Sequence, residues 1–171
     1  ETPLEAESRL RRDSLMIING YARDFYSNYL WEESAGRDAG LSYLRERGFS
    51  EYVIRHFELG FAPAAKDTFT RAALAAGYNL DLLTTTGLTI HYPERENKPD
   101  TLLDRFQDRV MFPIHSLSGR VIGFGGRTLR NEKQVSKYLN SPESEIYNKS
   151  RSLYGLYFAK QEIGKTQKCY L

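Results

Sequence analysis

Residues 109–129 read RVMFPIHSLSGRVIGFGGRTL, and no other stretch restricts the fold of this chain so strongly. Val110, Phe112 and Ile114 alternate on one side of Ser116–Ser118, and Val121 with its neighbours resumes on the other. Apolar runs around a short Ser/Gly turn specify a β-hairpin, because every second side chain of a strand shares one face. The second run then carries Gly123, Gly125 and Gly126. A phosphate-cradling P-loop needs G-x-x-x-x-G-K-[ST], and a dinucleotide fingerprint needs G-x-G-x-x-G opening a helix. Neither spacing is met, and RTLRNEKQ beyond the glycines has no apolar helical stripe. The glycines are therefore expected on a strand, where glycine marks a bulge or a close backbone approach. One reading is a packing bulge. The other leaves bare backbone beside a bound chain, with Arg120 and Arg127 flanking it.

Upstream of the hairpin the apolar period is helical. Over residues 4–31, Leu15, Ile18, Ala22, Phe25 and Tyr29 follow the i, i+3, i+4 spacing of one buried stripe. GRDAGLSYLRERGF reads as a second, shorter helix that Gly48 ends in a left-handed position. Ser50 then caps EYVIRHFEL, whose Val53, Ile54 and Phe57 face inward and which stops at Gly60. Asp67 opens TFTRAALAAG and Asn79 opens LDLLTTTG, each closed by a glycine. LTIHY at 88–92 is a strand, and PERENKPD after it is a charged loop with prolines near both ends. Residues 131–151 are polar, free of glycine and contain LNSPESE, so they are expected to form an ordered loop. SLYGLYFAKQEIG is helical, with Gly155 as an unfavourable residue inside it. KCYL at 168–171 has the character of a buried strand with no turn after it, the expected mark of a piece of a longer protein. The fold class expected is α+β: a helical N-terminal lobe (1–87) packed on a small, mostly antiparallel sheet in a basic β-rich lobe (88–167).

Charge sharpens the division. Residues 1–100 carry 12 Lys/Arg against 16 Asp/Glu, whereas residues 101–171 carry 12 against 6. A basic second half points to a polyanionic partner met by one surface. Between 105 and 151, nine cations are interleaved with Phe106, Phe124, Tyr138 and Tyr147. Cations that track phosphates and rings that stack on bases suit a nucleic-acid strand, although the same rings suit a core. Carboxylates are sparse there: Asp104, Asp108, Glu132, Glu143, Glu145 and Glu162 make no D-x-D pair. Two-metal nucleotidyl transfer needs several close carboxylates, so the chain reads as a substrate-holding part with no catalytic residue of its own. His56, His91 and His115 are far apart and lack cysteine partners, and the lone Cys169 allows no internal disulfide; no metal site is expected in the chain itself. No apolar run approaches the ~18 residues that span a bilayer, and no membrane partner is expected.

Four stretches, RFQDRVMFPI, GRVIGFGGRTL, KYLNSPESEIYNKS and LYGLYFAK, together resemble the bacterial DnaG-type DNA primases. YLRERGFSEYVIRHFELGFAP is similar to the helical region of the same family. The resemblance implies the N-terminal part of a primase RNA polymerase core. It also implies three parts beyond this stretch: a zinc-binding domain holding Zn²⁺, a Toprim part whose acidic residues hold Mg²⁺, and a C-terminal domain that meets the replicative helicase. KCYL would be the first Toprim strand. The implied partners are a single-stranded DNA template, the RNA–DNA hybrid and ribonucleoside triphosphates, in the bacterial cytoplasm at the replication fork. The implied activity is synthesis of short RNA primers, with the fragment alone inactive.

On matching positions the resemblance implies Arg127, Lys137 and Lys149 as phosphate contacts, and Tyr138 and Asn140 as nucleotide-side residues. Arg109 and Arg120 match as well, at positions beside a strand. The sequence departs from relatives at His115 and Ser116, where a charged turn is frequent, and at Leu41, where some carry a basic residue. Two other classes fit the composition: a non-catalytic single-stranded nucleic-acid-binding module, and a scaffold whose basic half meets an acidic protein.

Overall fold

A computed structural model describes residues 1–167, the side chains of residues 161 and 162 apart. The expected strand at 168–171 lies outside the described residues.

The chain opens with α1 (Pro3–Glu32), thirty residues started by a reciprocal cap: Glu5 N–H donates to Thr2 Oγ1 at 3.2 Å and Thr2 N–H to Glu5 Oε2 at 2.8 Å. Its fully buried line is Leu15, Ile18, Ala22, Tyr26 and Leu30, so the stripe runs one residue past the expected Phe25 and Tyr29, which are only half-buried. The cause is a close crossing. β1 (Gly60–Ala62) lies against Tyr26, and a Cβ at Gly60 would sit 2.6 Å from the Tyr26 backbone.

A π-helical stretch (Gly36–Leu41) leads into α2 (Ser42–Glu46), where one continuous helix was expected. Gly48 ends it in a left-handed conformation, φ 86°, as the sequence requires. Ser50 caps α3 (Glu51–His56) by accepting from Val53 N–H at 3.1 Å. That helix stops before Gly60, because Glu58 itself turns left-handed (φ 58°). Tertiary contacts hold it there: its carboxylate meets His115 Nε2 at 3.0 Å and Arg23 Nε at 3.4 Å. Gly60 is therefore the first residue of a strand.

α4 (Thr68–Ala75) and α5 (Leu80–Thr86) follow. Asn79 caps α5 as expected, but Asp67 makes no cap bond to α4. Asp104 supplies it instead: its carboxylate accepts from Phe69 N–H at 2.9 Å, Thr70 N–H at 2.8 Å and Thr70 Oγ1 at 2.6 Å. Asp104 is buried, which pushes its pKa up against the pull of the bonds from Thr70 and Phe69. The residue ends β3 (Thr101–Asp104), which pairs antiparallel with β2 (Thr89–Tyr92) as a ribbon of its own.

The main sheet is antiparallel throughout, in the order β1-β4-β5-β6, with β4 (Arg109–His115), β5 (Val121–Thr128) and β6 (Tyr138–Asn140). β4 and β5 are the expected hairpin, and a bulge lies where Ile114 pairs with Gly123 and His115 with Val121. β6 arises inside the expected polar loop. A short 3₁₀ turn (Lys149–Arg151) precedes α6 (Leu156–Thr166), and Gly155 stands before that helix, at its N-cap with φ 79°, rather than inside it. Ile18, Ala22 and Tyr26 of α1, Phe69 of α4 and Phe106, Met111 and Phe124 from the second half share one apolar cluster. The helical and β-rich segments thus have a common core, and β1 from the first segment completes the sheet of the second.

Candidate nucleic-acid interface

β5 has two unlike faces. Strand alternation puts Phe124, Gly126 and Thr128 on the side facing α1, and Gly125 and Arg127 on the other. Gly126 is there for packing: a Cβ would stand 2.9 Å from Phe106 Cδ1 and 3.0 Å from Arg109 Cδ. Gly125 has a different surrounding, since an added Cβ would meet only Asn140 Oδ1, at 3.3 Å. Its lack of a side chain leaves open space.

That space is a cavity of about 470 Å³. Its floor is the backbone of Gly125 and Gly126, its apolar wall includes Phe112, Ile114 and Tyr147, and Arg127, Tyr138, Asn140 and Lys149 stand around it. β6 pairing assembles the polar set, because Arg127 lies opposite Tyr138 and Gly125 opposite Asn140. Arg105 secures this edge: Nε and Nη2 donate to the Asn140 carbonyl at 3.0 and 2.7 Å. Ser141 stitches the next residue to β5, donating N–H to Phe124 O at 2.8 Å and accepting from Phe124 N–H at 2.9 Å. Lys149 comes from the 3₁₀ turn, which Asn148 caps through Ser150 N–H at 3.0 Å.

Arg127 is held from both sides. Its Nη1 donates to Tyr138 Oη at 2.6 Å, and its Cζ lies 5.1 Å from the Tyr138 ring and 5.5 Å from the Tyr43 ring. Its Nε is buried with no hydrogen-bond partner among the described residues. A buried donor left unmatched costs free energy. Arg127, Lys137 and Lys149 have no carboxylate within ion-pairing distance among the described residues. The site is built to present positive charge and a stackable ring beside bare backbone.

A family model for the DNA primase catalytic core, N-terminal domain, matches residues 25–160 of this chain. The chain belongs to that family. It is 40% identical over 177 residues to the DNA primase of Salmonella typhimurium, covering 98% of this chain and 28% of the relative. With the DNA primase of Halalkalibacterium halodurans it shares 40% over 162 residues, 94% of this chain and 26% of the relative. The chain thus spans about a quarter of the length of the curated relatives it matches. Its fold superposes on a DnaG primase catalytic domain bound to ssDNA with a TM-score of 0.77 at 38% identity, over 90% of this chain and 47% of that one. The RNA polymerase domain of Mycobacterium tuberculosis primase DnaG gives 0.78 at 33%, over 90% and 48%. The α+β class read from the sequence is therefore that of the primase core.

Of the seven residues singled out in this primase-family chain, the structure brings Arg127, Tyr138, Asn140 and Lys149 to one cavity. Lys137 lines a second cleft that shares Arg127. Arg109 and Arg120 go elsewhere. Arg109 pairs with Thr128 across the ladder, hence on the core side of the sheet, and is buried with Nη1 near the carbonyls of Gly126 (3.4 Å) and Lys137 (3.5 Å). Burial lowers its pKa, and Arg105 and Arg130 add to the effect. Arg120, past the hairpin turn, pairs with Asp13 of α1 at 2.8 Å. Sequence reasoning missed the grip of Arg105 on Asn140 and the walls supplied by Ser152 and Tyr154, for which no local pattern exists. Among the described residues no group of three or more His, Cys, Asp or Glu could hold a metal ion. No described helix is long and apolar enough to cross a membrane.

Proposed function

We propose that this chain is the substrate-holding part of a DNA primase, which grips the single-stranded template and the phosphates of an incoming ribonucleotide during RNA primer synthesis. The observation that carries the reading is the convergence of Arg127 and Lys149, free of carboxylates, with Tyr138 and Asn140 around the bare backbone of Gly125. Guanidinium and ammonium groups neutralise phosphates, the Tyr138 ring, two-thirds exposed, offers a stacking surface, and Asn140 can both donate to and accept from a base edge.

In this reading nucleotidyl transfer needs Mg²⁺ held by the acidic Toprim part of the whole protein. Zn²⁺ belongs to a zinc-binding domain, and the replicative helicase meets a C-terminal domain, in the cytoplasm at the replication fork. The chain positions the strand and the RNA–DNA hybrid that forms on it; it contributes no metal-binding carboxylates and is inactive alone. Lys137, next to Tyr138, extends the phosphate contacts.

Titration of a labelled oligothymidylate against the chain at increasing salt tests the reading. The slope of log affinity on log salt is expected to be about −0.7 per phosphate contact. R127A and K149A should each reduce its size by ~0.7. Salt-independent binding refutes the groove. Primer synthesis by the chain alone, without the acidic part, refutes the division of labour.

A further inference from the structure

Asn140 and Lys149 reach the cavity from the two ends of one segment, NSPESEIYNK, and Tyr147 of the cavity wall lies between them. The sheet fixes the start of that segment, through Ser141 on Phe124. Beyond it the chain leaves the sheet, and residues 142–148 belong to no helix or strand. Where the middle of such a segment is pinned decides where its far end stands.

Two contacts pin it, and both come from the helical segment. The first is steric. Gly87 follows α5 in the left-handed region, φ 76°, and the Pro142 ring fills the place where a Cβ at Gly87 would stand. The second is ionic. Arg11 of α1 donates from Nε to Glu145 Oε1 at 2.7 Å. Its Nη2 donates to Thr85 Oγ1 at 3.2 Å and its Nη1 to Asp81 Oδ2 at 3.4 Å, both on α5. One guanidinium thus brackets α5 to the segment, each nitrogen of its planar fork engaging a different side chain. A turn carries the constraint toward the site: Ser144 N–H donates to Tyr147 O at 3.0 Å and Ile146 N–H to Ser144 Oγ at 3.3 Å. Glu145 therefore lies inside the turn that sets Tyr147. Met16, further along α1, packs against the cluster of Tyr147 with Ile114 and Ile122.

The Arg11 and Glu145 side chains are 39% and 38% exposed, so their pair adds little to global stability. Its value is geometric. A segment already held in its bound position spares a ligand the cost of ordering it.

We propose that Arg11 is a positioning residue for the cavity, acting through Glu145 to hold Tyr147 and Lys149 in place, with the Gly87–Pro142 contact as its steric counterpart. In this role Arg11 itself contacts no phosphate. The proposal rests on the reading of Lys149 as a phosphate contact.

Removing either member of the pair breaks it while shifting the net charge in opposite directions, which separates positioning from simple attraction of an anion. Fluorescence anisotropy of a labelled oligothymidylate across a salt series reads the difference, with thermal unfolding of each variant alongside. R11A and E145A should both weaken binding ~3-fold, with the salt slope of the unchanged chain and nearly unchanged melting. R11A/E145A should bind no more weakly than either single variant, and R11A should cost clearly less in a K149A background. R11K, which keeps a cation for Glu145, should bind better than R11A. Binding that weakens in R11A but strengthens in E145A reduces Arg11 to a mere charge and overturns the proposal. Additive losses in the double variant, or R11K as weak as R11A, do the same. Hydrogen exchange gives a readout independent of DNA: the Ser144 and Ile146 amides should exchange faster in R11A, and unchanged rates overturn the anchor. The reading of Lys149 fails separately, by a K149A variant that keeps both its affinity and its salt slope.

Discussion

Asp104 and Arg127 are both charged residues at the end of a strand, and they stand in opposite conditions. The Asp104 carboxylate is buried and accepts from two backbone N–H groups and a hydroxyl, all from α4. Arg127 is half-exposed, stands between two rings and, among the described residues, has no carboxylate partner and keeps a buried Nε unmatched. A charge whose bonds are completed inside the protein stabilises the fold; a charge without a counter-ion at the wall of a cavity can meet a ligand there. On the proposed reading, the contrast is one between a structural ion and a recognition ion.

Several changes would break or sharpen this contrast, and they rank by expected loss of stability. D104A should be the most damaging, at about 3 kcal/mol or more, since it strands the α4 donors in the core. D104N, which retains an acceptor, should lose less; chemical denaturation measures both, and equal losses would remove the hydrogen-bond argument. G126A should cost about 2 kcal/mol, because its Cβ has no room between Phe106 and Arg109. G125A, one residue along, should cost clearly less in stability while intruding on the cavity.

Acid should act through Glu58. Burial raises the pKa of this carboxyl, but the bond to His115 and the charge of Arg23 outweigh it, and the net shift is downward. A depressed folded pKa contributes stability that is present above the unfolded value near 4.5 and is lost as pH falls through the folded value. Because Glu58 is about a third exposed and screened by solvent, that contribution should stay below ~1 kcal/mol. Melting curves of E58Q and the unchanged chain should therefore converge below pH 4.5; a gap that is constant with pH would exclude the linkage. R127A ends the series, with stability within ~0.5 kcal/mol of the unchanged chain but weaker strand binding. A large loss of stability there would make Arg127 a second Asp104.

Much of the local structure was legible because its causes are local. Ser50 and Asn79 cap helices through N–H groups two or three residues away, and Gly48 ends one by its own backbone freedom. The β4–β5 hairpin was legible from alternation around a short turn. β1 and β6 were not, since three-residue strands carry too little pattern and exist only because β4 and β5 offer them an edge. The Asp67 cap failed for a related reason: the competing carboxylate lies 34 residues further along the chain from Thr70.

The same division holds for the site. Residue types in KYLNSP and FGGR, and their resemblance to the primases, pointed to Arg127, Tyr138 and Asn140. Strand parity could also have separated Arg127 from Arg109, but only once the register pairing Arg109 with Thr128 was known. By itself, the sequence determined most of the helices, the β4–β5 hairpin and the excess of cations in the second half. Only the tertiary structure decided that Arg127 is shared by two clefts and that Arg109 and Arg120 face away. Caps and periodicity act within a few residues, whereas the face a side chain presents and the charge beside it depend on packing between segments that lie far apart in the chain.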